Sequence, residues 1–101
     1  MTARKMMEEV LRVVGSRYGL RRSELLSQAR TGRLHRPRQI AIYLSELVTG
    51  AAPDEIGALF AGRDKTVIRM HCRAIARLCQ EDRAFGELVQ VIAAEVRSMR
   101  R

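Results

Sequence analysis

An all-α domain is the fold this sequence predicts, and three observations predict it. Apolar residues recur at the three- and four-residue spacing of a helix face along most of the 101 residues. With no Trp and only 4% aromatics, the core must come from Leu, Ile, Val, Met and Ala, which are fair to good helix formers apart from the β-branched pair. Gly19, Gly50 and Gly62, with Pro37 and Pro53, punctuate the periodic stretches. The length suits one domain over residues 1–101, and 47% hydrophobic content is enough for a compact core.

Taken in order, Met7, Val10, Leu11, Val14 and Tyr18 share one face of a first helix from Ala3 to Tyr18, with Gly19 as its stop. Ser23 is expected to cap a short turn containing Leu25 and Leu26. The stretch "SQARTGRLHR" has almost no apolar rhythm and includes Gly32, so residues 27–38 read as a basic loop. Pro37 suits the first position of the next helix, whose stripe of Ile40, Ala41, Leu44, Leu47 and Val48 ends at Gly50. Pro53 opens a short helix, with Asp54 and Glu55 complementing its positive N-terminal dipole and Ile56, Leu59 and Phe60 facing inward.

A turn around Gly62 follows, and Asp64 is the expected N-cap of a helix running to about Gln80. Short helix, glycine-bearing turn and longer helix outline a helix-turn-helix over residues 53–80. Beyond Glu81 and Asp82, the positions Phe85, Leu88, Val89, Ile92, Ala93 and Val96 form a last amphipathic helix before a frayed "RSMRR" tail.

No apolar run approaches the roughly 20 residues that cross a bilayer, and there is no signal-peptide core, so a cytoplasmic, nucleoid-associated protein without membrane contact is expected. Cys72 and Cys79 lie two helical turns apart, too far to bridge, and read as reduced core residues. Around His35 and His71 no further ligand falls at a metal-like spacing, and no cofactor motif occurs. Neither the acidic pairs nor Ser, His and Cys form a catalytic constellation, so no enzyme activity is expected.

The net charge of +8 and pI near 11.0 point to a polyanionic partner. The excess is confined to two patches. Arg17, Arg21, Arg22, Arg30, Arg33, Arg36 and Arg38 face only Glu24 in the first, and Arg63, Lys65, Arg69, Arg73 and Arg77 face only Asp64 in the second. The rest of the chain is slightly acidic.

Within the second patch, Lys65, Arg69, Arg73 and Arg77 recur every four residues beside Ile68, Cys72, Ile75 and Cys79. Each like-charged pair at that spacing opposes a helix by about 0.2–0.5 kcal/mol, and Lys65 also opposes the dipole. Stability therefore does not select the row. A solvated face whose arginine stems cover apolar neighbours is one reading. The other follows from position: the row lies on the second helix of a helix-turn-helix, whose N-terminal residues meet base edges.

On that reading Lys65, Thr66 and Arg69 lie deepest, since Arg pairs with guanine and Thr with a base or a thymine methyl. Arg73 and Arg77, farther along, suit the backbone. Arg30 and Arg33, with Arg36 in the same cluster, suit a narrow minor groove. Arg38 and Gln39, at the start of the following helix, suit phosphate. Double-stranded DNA is the expected partner.

These residues resemble the C-terminal DNA-binding domain (domain IV) of the bacterial replication initiator DnaA. That family's basic loop, R-P-R-Q, P-E-I-G-like helix and G-R-D-H-T-T correspond to "RTGRLHRPRQIAIYLSELVTGAAPDEIGALFAGRDKTVIRMHCRAI", and the likeness covers residues from about 5 to 97. The resemblance implies a six-helix fold related to the Trp-repressor class. It also implies a minor-groove role for Arg30, phosphate contacts for Arg38 and Gln39, and base reading from Asp64 and Thr66. Where the family has His-Thr-Thr, this chain has Lys65, Thr66 and Val67, so its preferred site is expected to differ from the standard initiator box.

The motif G-x-x-x-x-G-K-[S/T] is absent, so the chain is expected to act as a stand-alone helix-turn-helix protein without ATP-driven assembly. Its expected role is sequence-preferring regulation of replication or transcription. A nonspecific architectural nucleic-acid binder and a protein-interaction module remain the alternatives. One short recognition helix has a small footprint, so tight binding is expected to draw on a homodimer, adjacent sites or a protein partner.

Overall fold

Six helices, α1 (Ala3–Tyr18), α2 (Arg22–Leu26), α3 (Gly32–Thr49), α4 (Pro53–Leu59), α5 (Lys65–Glu81) and α6 (Arg83–Arg97), make up the computed structural model, which describes residues 2–99. The fold is all-α, as expected. Among the described residues no helix is long and apolar enough to cross a membrane.

The organising element is α3, which touches each of the other five helices. A helix surrounded in this way must be buried on most sides, and Pro37, Arg38, Gln39, Ile40, Ala41 and Ile42 form an unbroken buried run. Met7, Val10, Leu11 and Val14 of α1 supply one wall of the core, and Val89, Ile92, Ala93 and Val96 of α6 another. Ile56 of α4 and Ile68, Cys72 and Ile75 of α5 close it.

The structure corrects several boundaries. α3 starts at Gly32, so the basic loop is residues 27–31 and Pro37 lies inside the helix. Leu34 explains the difference: its burial anchors the first turns of α3, and that burial outweighs the hydrogen bond Pro37 cannot donate. Ser23 does not cap α2. The helix begins after Arg21, whose backbone N–H donates to the Glu24 carboxylate at 2.9 Å. Asp64 holds the N-cap position of α5 in extended conformation, but its side chain makes no capping bond.

Asp82 caps α6 by accepting from the Phe85 N–H at 3.1 Å. In the tail expected to fray, Arg97 ends α6 and Ser98 and Met99 form a turn, while Arg100 and Arg101 lie outside the described residues.

The turn between α4 and α5 is tight. Ala61 (φ 63°) and Gly62 (φ 70°) both adopt the left-handed conformation, and the Arg63 N–H then donates to the Gly57 carbonyl at 3.0 Å. A Cβ at Gly57 would lie 2.1 Å from the Arg63 carbonyl oxygen, so only glycine allows this approach.

Candidate nucleic-acid interface

Two bonds join the basic loop to the helix-turn-helix, and a third braces the turn they meet. Arg63 reaches from the turn before α5 through Nη2 to the Ser27 carbonyl at 2.9 Å, and through Nη1 to the Phe60 carbonyl at 2.8 Å. Gln28 returns the tie, donating through Nε2 to the Ala61 carbonyl at 3.0 Å. The loop and the turn before α5, distant in sequence, are therefore held together, which brings Arg30 and Arg63 to one cleft. The cleft measures about 420 Å³, with Arg30, Arg38 and Arg63 on its walls beside Val67, Met70 and His71.

Lys65, Thr66, Arg69, Arg73 and Arg77 of α5 are all exposed, while Ile68, Cys72 and Ile75 on the opposite face are buried. The helix thus divides as its four-residue spacing predicts. Arg77 pairs with Glu81 at 3.1 Å, which leaves Lys65, Arg69 and Arg73 without a carboxylate partner among the described residues. Met70, 51% exposed, is an apolar side chain amid these cations. Asp64 is exposed at the head of the helix.

Arg30 is exposed on the loop. Arg33 and Arg36 lie on α3 instead of on a flexible segment. Arg33 is paired with Glu24, and the Arg36 guanidinium lies 6.0 Å from the centre of the Phe85 ring.

Arg38 and Gln39 are the clearest departure from expectation. Both lie inside α3 instead of at its start and are only 6% exposed. Arg38 donates to the carbonyls of Leu25 (Nε, 2.9 Å), Ala29 (Nη1, 2.8 Å) and Glu24 (Nη2, 2.9 Å), and to Ser27 Oγ at 3.2 Å. One guanidinium thereby satisfies the C-terminal end of α2 and the start of the loop. Burial, and then the nearby Arg63, hold its pKa below the ordinary arginine value. Arg63 is lowered in the same way by burial and then by Arg30. These are structural cations beneath the surface ones.

Sequence reasoning missed the part played by the histidines. Gln39 Nε2 contacts His71 Nδ1 at 3.0 Å, and the His35 and His71 rings lie 6.1 Å apart in an edge arrangement. The four-residue step from His35 to Gln39 placed both on one face of a helix, but only with α3 extended to Gly32. Cys72, buried against α3, has its thiol pushed up to about 12 by burial and then by Glu46, and Cys79 is raised by burial.

The family described as "Bacterial dnaA protein helix-turn-helix" matches residues 7–75. A chromosomal replication initiator protein DnaA from Xanthobacter autotrophicus is 42% identical over 86 residues, 85% of this chain and 17% of the relative. Proteins of the same name from Rhodopseudomonas palustris (strain BisB18) and Nitrobacter hamburgensis are 38% and 37% identical over 90 residues, 89% of this chain and 19% of each relative. The chain spans less than a fifth of the length of these relatives. With that match lying over the helix-turn-helix and the loop tied to it, the chain belongs to the bacterial DnaA helix-turn-helix family.

Proposed function

We propose that the protein binds double-stranded DNA with sequence preference, placing the N-terminal half of α5 in the major groove and the loop around Arg30 in the adjacent minor groove. The observation that carries this reading is the bond from Arg63 to the Ser27 carbonyl, which holds loop and recognition helix on one side of the fold. Lys65, Thr66 and Arg69 are the base-reading candidates, with Asp64 beside them. Arg73 and Arg77 suit the phosphate backbone, and Arg33 and Arg36 flank the loop as further backbone contacts. Arg38, Gln39 and the Arg63 guanidinium act indirectly, by fixing the elements that carry these groups.

The role we infer is non-catalytic: control of replication or transcription at initiator-like sites, in the cytoplasm at the nucleoid. The relatives are named as replication initiators, which favours replication. A randomised-oligonucleotide selection with the full chain tests the reading. A consensus is the expected result, with log affinity falling against log salt by about 0.9 per phosphate neutralised. Binding without any consensus would turn the assignment to a nonspecific architectural role, and failure to shift any duplex at low salt would turn it to a protein partner.

A further inference from the structure

We propose that Met70 reads thymine: its side chain, at the centre of the exposed face of α5, packs against the C5-methyl group of a T·A pair in the major groove. The inference rests on the DNA-binding reading above and deepens it, because that reading gives Met70 no part.

Helix geometry puts Met70 at the front. At about 3.6 residues per turn, successive side chains rotate by about 100°, so Met70 stands roughly 160° around the helix from Ile68 and Cys72 and roughly 140° from Ile75. Those three are the buried residues of α5. Met70 therefore points away from the core, and it is 51% exposed. Thr66 and Ala74, four residues to either side and about 40° away around the helix, are exposed as well. Half-buried Val67 lines the cleft together with Met70, as neighbours three apart on a helix can. The middle of the face is thus a hydrocarbon strip made of the Thr66 methyl, Met70 and Ala74, with Val67 at its edge. Helix propensity does not select a methionine here, since Arg, Lys, Gln and Glu form helices about as well, and at this position it supports no core.

The flanks of the strip decide what covers it. Exposed Arg69 and Arg73 run along one side, and Arg30 and Arg63 stand across the cleft on the other. Neither Arg69 nor Arg73 has a carboxylate partner among the described residues. A second copy of this chain would set these cations against themselves, and like charges oppose that contact. The face instead complements an anionic surface with an apolar point at its centre. In duplex DNA the phosphates supply the charge, and the one methyl group that a base displays in the major groove belongs to thymine. Methionine suits the contact because its unbranched, polarizable side chain adapts to the surface it meets.

The test is equilibrium binding of the full chain to a duplex recovered by selection. Each thymine in turn is replaced by deoxyuridine, which removes the methyl and keeps the pairing, or by 5-bromodeoxyuridine, whose bromine fills the same space. Wild type is expected to lose about fourfold at the thymine that Met70 meets, the worth of one buried methyl, and to recover with the bromine. Met70→Ala should bind the parent duplex at least about fourfold less tightly and lose nothing more with deoxyuridine at that position, because the methyl no longer has a partner. Met70→Leu, apolar and of similar volume, should keep most of the discrimination. Position 70 is exposed and Ala is the better helix former, so thermal melts should show Met70→Ala folded; Met70→Gln repeats the comparison at constant side-chain length.

A consensus without thymine, no deoxyuridine penalty at any thymine in wild type, or the same penalty surviving in both Met70→Ala and Met70→Gln would overturn the proposal and leave sequence-preferring DNA binding intact. A selection that returns no consensus, or no binding to any duplex, would overturn the sequence-preferring reading and this proposal with it.

Discussion

Arg63 at the head of the recognition helix donates to the backbone carbonyl of Ser27, 36 positions earlier in the chain, at 2.9 Å. Loop and turn are thereby tied to one another, so the positions of Arg30 and Lys65 are set together. The Arg63 guanidinium is spent on backbone carbonyls of the loop and the turn, as Arg38 is on those of α2 and the loop.

Replacing Arg38 with Ala should destabilise the fold by about 2–3 kcal/mol, because the carbonyls of Glu24, Leu25 and Ala29 lose a charged donor. Arg38→Lys should recover little of this, since one ammonium on a flexible stem cannot match a planar fork. Chemical denaturation measures both, and a stable Arg38→Ala protein whose DNA affinity alone falls would return Arg38 to the phosphate backbone.

The turn makes opposite demands at two small residues. Ala61→Gly should stabilise by about 1 kcal/mol, because it relieves a left-handed alanine at φ 63°. Gly57→Ala should destabilise by several times that amount, since its Cβ meets backbone at 2.1 Å. Thermal melts of the two variants should shift in opposite directions, by roughly 4–8 °C per kcal/mol for a domain of this size.

On DNA, Arg69→Ala should alter the selected consensus with a loss of about 1–3 kcal/mol at the base it reads. Arg73→Ala should weaken binding to all sequences alike and reduce the salt slope by about 1. Selection and salt titration on both variants separate the roles, and equal losses across all sequences for both would refute the division along α5.

Acid should loosen the packing of α2. Glu8 lies well placed for Arg22, whose Nε is 2.7 Å from its carboxylate, and that hydrogen bond holds the Glu8 carboxyl below the usual range. Glu24 is lowered first by the Arg21 backbone N–H and then by Arg33. A depressed folded pKa gives stability that is present above the unfolded value and is lost as the pH falls through the folded one. Stability should therefore decline below about pH 4.5, where unperturbed carboxyls begin to protonate, and a Glu8→Gln variant should show a shallower decline in acid denaturation curves.

Much of the fold was legible in the sequence. The stripes of α1, α5 and α6 sit on single faces, and each meets its neighbours where the three- and four-residue spacing puts it. The extent of α3 was not legible, because a helix buried on most sides has no single stripe and Pro37 reads as a start. Arg38 carried a signal all the same: it falls in the series Leu34, Arg38, Ala41 and Ser45, spaced as a buried face. A cation on an apolar spacing marks a buried donor whose acceptors are backbone carbonyls of distant segments, and local pattern does not show where those carbonyls lie. The exposed row from Lys65 to Arg77 needed only helix periodicity. The bond between Gln39 and His71 needed the packing of α3 on α5, which no local pattern contains.

That α3 touches every other helix also limits what can be cut away. A peptide of α4, the turn and α5 alone would leave Ile56, Ile68 and Ile75 facing water with nothing to cover them. The helix that bears the cationic row owes its place to a scaffold mostly outside its own motif, so grafting its surface onto another protein would require carrying the central helix along.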